Sequence, residues 1–271
     1  MDVDGFWDVV ERSAQKTESR PERLDWLVSY LSRLPAEEVV DYQEWFTLCA
    51  NRACTWDMYA VCWTITGFGS SDGFEYFVDW LISLGRDAYE KIAECPDRIL
   101  ELPQVQRLFE LSGNYSHERT SVSQDGTVRL TRLTRIRRQI WPNEDWPEFE
   151  SFAYVAAKAY ERVLGDDMAH PMDTVRARGI ESVFPFMTNL AQPEGEEWDF
   201  SDEAEFARRL PRIARHYGLT DEPDQPRPAC TRRTLWPSGV SWRDERTRAW
   251  TFRNVTGEMR TRERRLRYQR P

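Results

Sequence analysis

The seven residues GFGSSDG, Gly67–Gly73, are the first feature of the chain that could do chemistry, because three glycines, two hydroxyls and a carboxylate come together. Backbone N–H groups of such a loop can bind an anion where a helix begins. The spacing is not G-x-G-x-x-G, no predicted strand precedes it, and no Lys-Ser/Thr pair follows as in a P-loop. The Asp72 carboxylate would also compete for those N–H groups. We therefore predict a helix stop at Gly67 and a cap of the next helix at Ser70–Asp72.

Acids beside aromatic rings on either side of this turn are the other candidates for a site. Trp56 and Asp57 begin one predicted helix, and Asp72 and Glu75 begin the next. An acid there favours the helix dipole, whereas an aromatic ring beside an acid can hold a cationic side chain. Asp57 would form an acid/base pair with Asp72 or Glu75 if they met in a cleft, which their spacing does not show. No catalytic residue is assigned, and the candidate binding residues are Trp56, Asp57, Ser70, Asp72, Glu75 and Trp80.

Metal, thiol and hydrolase chemistry find no support in the sequence. The three histidines, His117, His170 and His216, are far apart, and no Cys/His cluster has the spacing of a metal site. A G-x-S-x-G motif is absent. The five cysteines form no C-x-x-C pair. We expect no metal, no cofactor, and reduced, mostly packed thiols.

The charge is divided unevenly along the chain. The net charge is −9, but residues 221–271 hold 13 Arg, no Lys and a net +6, which leaves −15 on residues 1–220. Such an acidic body repels nucleic acid and anionic membranes and favours cationic partners. The acidic N-terminal sequence is unlike a signal peptide, and no apolar run approaches the ~18 residues of a membrane span. A cytoplasmic protein is expected, and 34 Arg against 3 Lys indicates a GC-rich genome.

Helical periodicity positions the candidate residues. Apolar stripes such as Leu24 to Leu34 and Phe74 to Ile82 recur at three and four residues. Expected caps are Asp4, Ser19, Thr55 and Ser201. A helix over 148–164 should end at Gly165, whereas 166–198 looks irregular. The predicted fold is an all-α array of short helices with long irregular loops and a basic C-terminal tail.

Two segments differ in character from this array. Residues 114–127 look like an exposed loop, and an arginine every three residues from Arg129 to Arg138 (Arg129, Arg132, Arg135, Arg138) favours a basic amphipathic helix over a strand. We divide the chain into an acidic helical domain, 1–219, and an Arg-rich tail, 220–271, expected to be solvated or disordered. Within the domain, sub-regions 1–113 and 148–219 flank an insert at 114–147.

Several aromatic–acid motifs occur in a fixed order: FWDVVE (6–11), TWDMYA (55–60), DGFEYF (72–77), WLISLGR (80–86), AKAYERVLG (157–165), GEEWDF (195–200) and RRLPR (208–212). Together they resemble a bacterial family called domain of unknown function 4240. The resemblance covers roughly residues 4–112 and 148–217, and it implies a small soluble protein of a kind frequent in actinobacteria. It implies a fold unit, since no activity is assigned to the family.

Two positions depart from the family pattern. An Asp is expected where Ser71 stands, and an Arg where Val78 stands. These positions are seven apart and share a helix face. Their joint change suggests either a lost salt bridge or a lost ligand site.

Three functions remain open. The leading hypothesis is a protein or peptide interaction module whose acidic, aromatic-lined body binds a partner, a basic one included. The alternative is a small-molecule-binding protein or enzyme with a pocket near Trp56, Asp57, Asp72 and Trp80. The third is nucleic-acid binding, which only the Arg- and Trp-containing tail 221–271 and the 129–138 stripe would support.

Overall fold

The computed structural model describes residues 1–220 except 68, 113–116, 123–127, 134–140, 167 and 186–190, and only the backbone of 112, 117–122 and 128–133. These residues belong to one compact unit, Met1–Leu235. The prediction of an all-α array is confirmed. Its helices are α1 Val3–Lys16, α2 Arg20–Leu31, α3 Ala36–Ala53, α4 Trp56–Thr66, α5 Ser71–Ser83, α6 Arg86–Glu94, α7 Pro103–Ser112, α8 Val155–Leu164, α9 Pro171–Ala177, α10 Glu203–Arg209 and α11 Pro211–His216, with 3-10 helices at Pro96–Glu101 and Glu150–Phe152.

Side-chain caps set the helix starts around the glycine turn. The hydroxyl of Thr55 accepts a hydrogen bond from the N–H of Met58, and that of Ser70 accepts one from Gly73. Gly67 ends α4 at a φ of 74°, a left-handed conformation that favours glycine. The predicted turn, with a stop at Gly67 and a cap at Ser70, is therefore confirmed.

Two predicted caps are wrong by one or two residues. Asp2, not Asp4, caps α1, and its carboxylate accepts the N–H of Gly5 at 2.8 Å. Asp202, not Ser201, caps α10. In both cases the carboxylate next to the helix has the extended backbone that a cap requires.

The second half contains more breaks than the sequence suggested. The long helix predicted over 148–164 is a 3-10 turn followed by α8, although it does end at Gly165 with a φ of 66°. Residues 166–198 include α9, which the prediction treated as irregular. Pro211 separates α10 from α11, because proline has no N–H to continue the helix.

The described part of the insert is a β-hairpin, so the predicted helix is wrong for Arg129 and Arg132. Strand β1, His117–Val122, pairs antiparallel with β2, Val128–Leu133, and Glu118 lies opposite Arg132. Valine and threonine favour strands, and the Asp125-Gly126 dipeptide between the strands is a hairpin signal in sequence. Arg135 and Arg138 lie outside the described residues.

Helix α5 is enclosed by four other elements. It contacts α3, α4, α6 and the 3-10 helix Glu150–Phe152. Aromatic side chains of α1, α3 and α6 pack against one another. The ring centroids of Phe6 and Tyr42 are 5.0 Å apart, and those of Trp7 and Tyr89 are 5.3 Å apart. These four rings are almost fully buried. They bury the large area that the aromatic composition predicts.

A buried carboxylate fastens the end of the domain to its first half. Asp97, in the 3-10 helix before α7, is 1% exposed. Its Oδ1 accepts the N–H groups of Arg212 at 3.0 Å and Ile213 at 3.1 Å, in the first turn of α11. A residue more than a hundred positions away thus caps α11.

We expect Asp97→Ala to lower the free energy of unfolding by about 2–3 kcal/mol, because two N–H groups in the first turn of α11 lose a charged, buried acceptor. Asp202→Ala removes an exposed cap of the adjacent helix and should cost about 1 kcal/mol. Urea denaturation of both variants measures the difference. Equal costs would show that Asp97 does not hold α11.

Candidate functional site

Three acids of α5 share one helix face. Asp72, Glu75 and Asp79 are separated by three and four residues, the spacing that stacks side chains on successive turns. Asp72 is exposed, Glu75 is partly buried, and Asp79 is only 3% exposed. Glu150, exposed at the start of its 3-10 helix, interacts electrostatically with both Glu75 and Asp79. We call these four residues the acidic cluster.

The segment that carries Glu150 is held in place by α2. The guanidinium of Arg20 donates to the carbonyl oxygens of Glu148 and Trp146, both at 2.6 Å, and lies 5.0 Å from the ring of Phe149. The N–H of Phe149 then donates to the carbonyl oxygen of Tyr76 on α5 at 2.9 Å. These contacts place Glu150 beside the acids of α5.

Asp79 is buried without compensation. Its Oδ2 has no hydrogen-bond partner, and its charged neighbours are Glu75 and Glu150, which are also acids. Burial, followed by the charges of Glu75 and Glu150, raises the pKa of Asp79 well above its ordinary value. Burying an unpaired charge is costly, so the group holds its proton instead.

Glu75 titrates near neutrality. Burial, followed by the charges of Asp72 and Glu150, raises its pKa to about 7. Within the described part of the chain, its carboxylate has neither a hydrogen-bond donor nor a cationic partner. Glu75 can therefore exchange a proton under physiological conditions.

Two tyrosines stand beside the acidic cluster. Tyr154 is 49% exposed, and its electrostatic neighbours are Glu150, Glu75 and Asp79. Burial and then the charge of Glu150 raise the pKa of Tyr76 to about 12. No lysine or arginine is among the groups that interact with these tyrosines or with Glu75 and Asp79 in the described residues. The patch combines uncompensated acids with aromatic rings.

Asp57 has different partners. Its Oδ1 accepts a hydrogen bond from Nε1 of Trp198 at 3.1 Å and lies 3.6 Å from the guanidinium of Arg209. Arg209 also lies 5.4 Å from the ring of Trp198. The Asp57 charge is thus compensated, and its described contacts do not include Asp72 or Glu75.

The start of α4 pairs with the segment that precedes Trp198. The N–H of Trp56 donates to the carbonyl oxygen of Glu194 at 3.2 Å, and the backbone N–H of Glu194 donates to the carbonyl oxygen of Cys54 at 2.8 Å. Phe200 then packs edge-on against Trp56 and Tyr59. Two of the motifs seen in the sequence, TWDMYA and GEEWDF, therefore contact each other.

The remaining candidates have structural contacts. Ser70 caps α5, and Trp80 is 4% exposed, 5.4 Å from Phe77. Gly69 faces the ring of Trp63 so closely that a Cβ would lie 2.2 Å from it. The described interactions therefore join Asp72 to Glu75, and none of them joins either acid to Trp56 or Asp57, while Trp80 is buried further along the same helix.

Asp79, Glu150, Tyr76 and Tyr154 were missed from the sequence. The sequence did contain one indication of this site: Glu75 and Asp79 stand one helical turn apart in an otherwise apolar segment. Nothing in the sequence indicated that Glu150 and Tyr154 would lie beside them, about 70 residues further on.

Three of the cysteines are buried thiols in the described residues. Cys49, Cys54 and Cys62 are free and buried, and burial raises the pKa of Cys49 and of Cys62 to about 12.

The described residues contain no group of three or more His, Cys, Asp or Glu side chains arranged to hold a metal ion. No helix among them is long and apolar enough to cross a membrane.

These observations define an all-α protein with an acidic surface patch that two tyrosines border. Residues 1–162 match the family described as "Protein of unknown function (DUF4240)", and the chain belongs to this family. The motifs at 195–200 and 208–212 lie beyond the matched residues. No curated protein and no solved structure matches the chain.

The two positions that depart from the family pattern lie at the start and in the middle of α5. Ser71 is its first residue, where the hydroxyl lies 3.3 Å from the Asp72 carboxylate, and Val78 is fully buried. Asp72 and Glu75 remain accessible between them.

The raised pKa of Glu75 predicts how stability depends on pH. Unfolded Glu75 ionises near 4.5, whereas the folded protein keeps the proton up to about 7. Between these values the folded state binds more protons, so stability falls as pH rises. Glu75→Gln removes this loss and should stabilise the protein by about 1–2 kcal/mol at pH 8, after allowance for partial exposure.

Urea unfolding at pH 4 and pH 8 tests this. The variant and the wild type should agree at pH 4. Asp25→Asn, an equal charge change at an exposed position of α2, should give no such divergence. A Glu75→Gln protein no more stable than wild type at pH 8 would contradict the prediction.

Proposed function

We propose that this protein is an interaction module that binds a basic segment of a protein or peptide at the acidic cluster. The observation that supports this is Asp79, whose Oδ2 has no partner although it is buried beneath Glu75 and Glu150. An unsatisfied buried carboxyl is unfavourable in the free protein. A cation bound there would relieve that cost.

The chemistry of the patch favours an organic cation. A guanidinium or ammonium group can donate hydrogen bonds to several carboxylates at once. Tyr76 and Tyr154 add aromatic rings, which attract cations through their faces. The carboxylates do not form the compact ligand set of a metal site within the described ranges.

The position of the patch favours a side chain presented by a larger partner. Asp72, Glu150 and Tyr154 reach the surface, while Asp79 is buried beside them. A protruding arginine or lysine can contact the accessible carboxylates and bring its charge close to Asp79. The net charge of −15 on residues 1–220 would accelerate association with a basic partner.

The enzyme alternative now centres on Glu75. Its pKa of about 7 suits a general acid or base. The pocket first considered would need Trp80, which is buried, and Asp57, which is paired with Arg209. The binding function is therefore preferred.

The proposal also covers the cell compartment, the source and the domain division of the protein. The composition and the family resemblance support a cytoplasmic protein from an actinobacterium, with a domain of residues 1–219 and a separate tail. Nucleic-acid binding would then belong to residues 221–271. If the tail binds nucleic acid, deleting residues 221–271 should abolish salt-dependent retention of DNA or RNA. Unchanged retention would exclude nucleic-acid binding by the tail.

Binding can be measured with a labelled, end-blocked peptide of six alternating Arg-Gly pairs and the full chain at 0.15 M salt. Glu75→Gln and Glu150→Gln should each weaken binding about five- to tenfold, because each removes a carboxylate from the cation's contacts. Asp25→Asn should change affinity less than about twofold, as expected for an exposed charge outside the cluster.

Two results would exclude the proposed site. One is the absence of peptide binding. The other is an equal loss in all three variants, which would show that the peptide responds only to total charge. Circular dichroism of each variant confirms that its fold is intact.

A further inference from the structure

Glu75 and Asp79 form an acid–acid pair one turn apart on α5. Like charges at this spacing repel each other on a helix. Glu150 adds a third carboxyl to both, and Asp79 is 3% exposed with an unpartnered Oδ2. Burial and like charges disfavour full ionisation of these carboxyls, so Glu75 and Asp79 together retain at least one proton below neutral pH when no cation is present.

The charged surroundings of the pair come from two elements. Helix α5 contributes Asp72, and the 3-10 helix contributes Glu150. Tyr154, from the turn before α8, also faces Glu75 and Asp79. Helices α3, α4 and α6 pack against α5 as well, but among the described residues they bring no titratable group that shifts either acid.

We propose that a basic side chain of the partner binds at the acidic cluster in exchange for a proton that Glu75 or Asp79 carries in the free protein, so that recognition strengthens as pH rises through neutrality. This inference rests on the proposed function. The free site holds carboxyl and carboxylate, and the bound site holds carboxylates and the partner's cation. The released proton goes to solvent, and no bond other than O–H is broken.

The sign of the pH dependence follows from linkage. At pH 6 the proton competes with the incoming cation, because the pKa of Glu75 is about 7 and that of Asp79 is also raised. At higher pH fewer sites must lose a proton before they bind, so affinity increases. It levels off once the free site has ionised.

The burial of Asp79 distinguishes this from general attraction between charges. An exposed acid of ordinary pKa is already ionised at pH 6 and releases nothing on binding. Asp25 on α2 is exposed and lies outside the acidic cluster. Proton release therefore reports on the buried pair rather than on the net charge of the domain.

Calorimetry with the full chain and the Arg-Gly peptide tests the proposal. The peptide has blocked ends and no titratable group near neutrality. At pH 7, titrations in buffers of different ionisation enthalpy count the protons released, and we expect between about 0.5 and 1 per peptide. Affinity should be about five- to tenfold higher at pH 8 than at pH 6.

Variants separate the pair from other titrating groups. Glu75→Gln and Asp79→Asn should each reduce proton release towards zero and flatten the pH profile, whereas Asp25→Asn should keep both. Glu75→Gln changes a partly exposed residue, so it provides the test even if the buried substitution impairs folding.

The outcomes are distinguishable from those for the binding site itself. Cluster-dependent binding without proton release, at equal affinity from pH 6 to pH 8, would overturn this inference and leave the proposed function standing. Proton release that persists unchanged in Glu75→Gln would also overturn it. Absence of cluster-dependent binding would overturn the proposed function as well.

Discussion

The burial of α5 is the constraint on which the structure depends. Nine of its 13 residues are buried, because α3, α4, α6 and the 3-10 helix Glu150–Phe152 surround it. Only the edge with Asp72 and Glu75 reaches solvent. Asp79 continues this edge by one turn into the packed region, where its carboxyl cannot be hydrated as an exposed acid is. The burial of Asp79 in the acidic cluster is thus a consequence of how α5 is enclosed.

The use of arginine elsewhere explains why the cluster remains uncompensated. Arg20 and Arg23 direct their guanidinium groups at carbonyl oxygens; Arg23 donates to the carbonyl of Ser83 at 2.7 Å, and burial lowers its pKa to about 10. Arg178 lies between acids of α3 and donates to Asp41 at 2.7 Å. These cations fasten segments together, and none of them is among the groups that shift the pKa of Glu75 or Asp79.

Local signals were sufficient for helices and turns, but not for contacts between distant segments. Gly67 and Ser70 could be assigned from sequence because conformational freedom and capping depend on immediate neighbours. Asp72 and Glu75 could be selected together for the same reason. Glu150 could not, because its position depends on hydrogen bonds that Arg20 and Phe149 make across the fold. The hairpin strands were missed because arginine spacing was given more weight than the β-branched residues between them.

Residues beyond the family match complete the packing of the matched residues. The acidic cluster and both tyrosines lie within residues 1–162, but the elements that support them do not all do so. Glu194 pairs with the start of α4, Phe200 covers Tyr59, and α11 satisfies the buried carboxylate of Asp97. Without these contacts, α4 would expose aromatic rings and the buried carboxylate of Asp97 would lose the N–H donors of α11. The matched residues therefore contain the candidate site, whereas the described residues beyond 162 complete the packing that supports it.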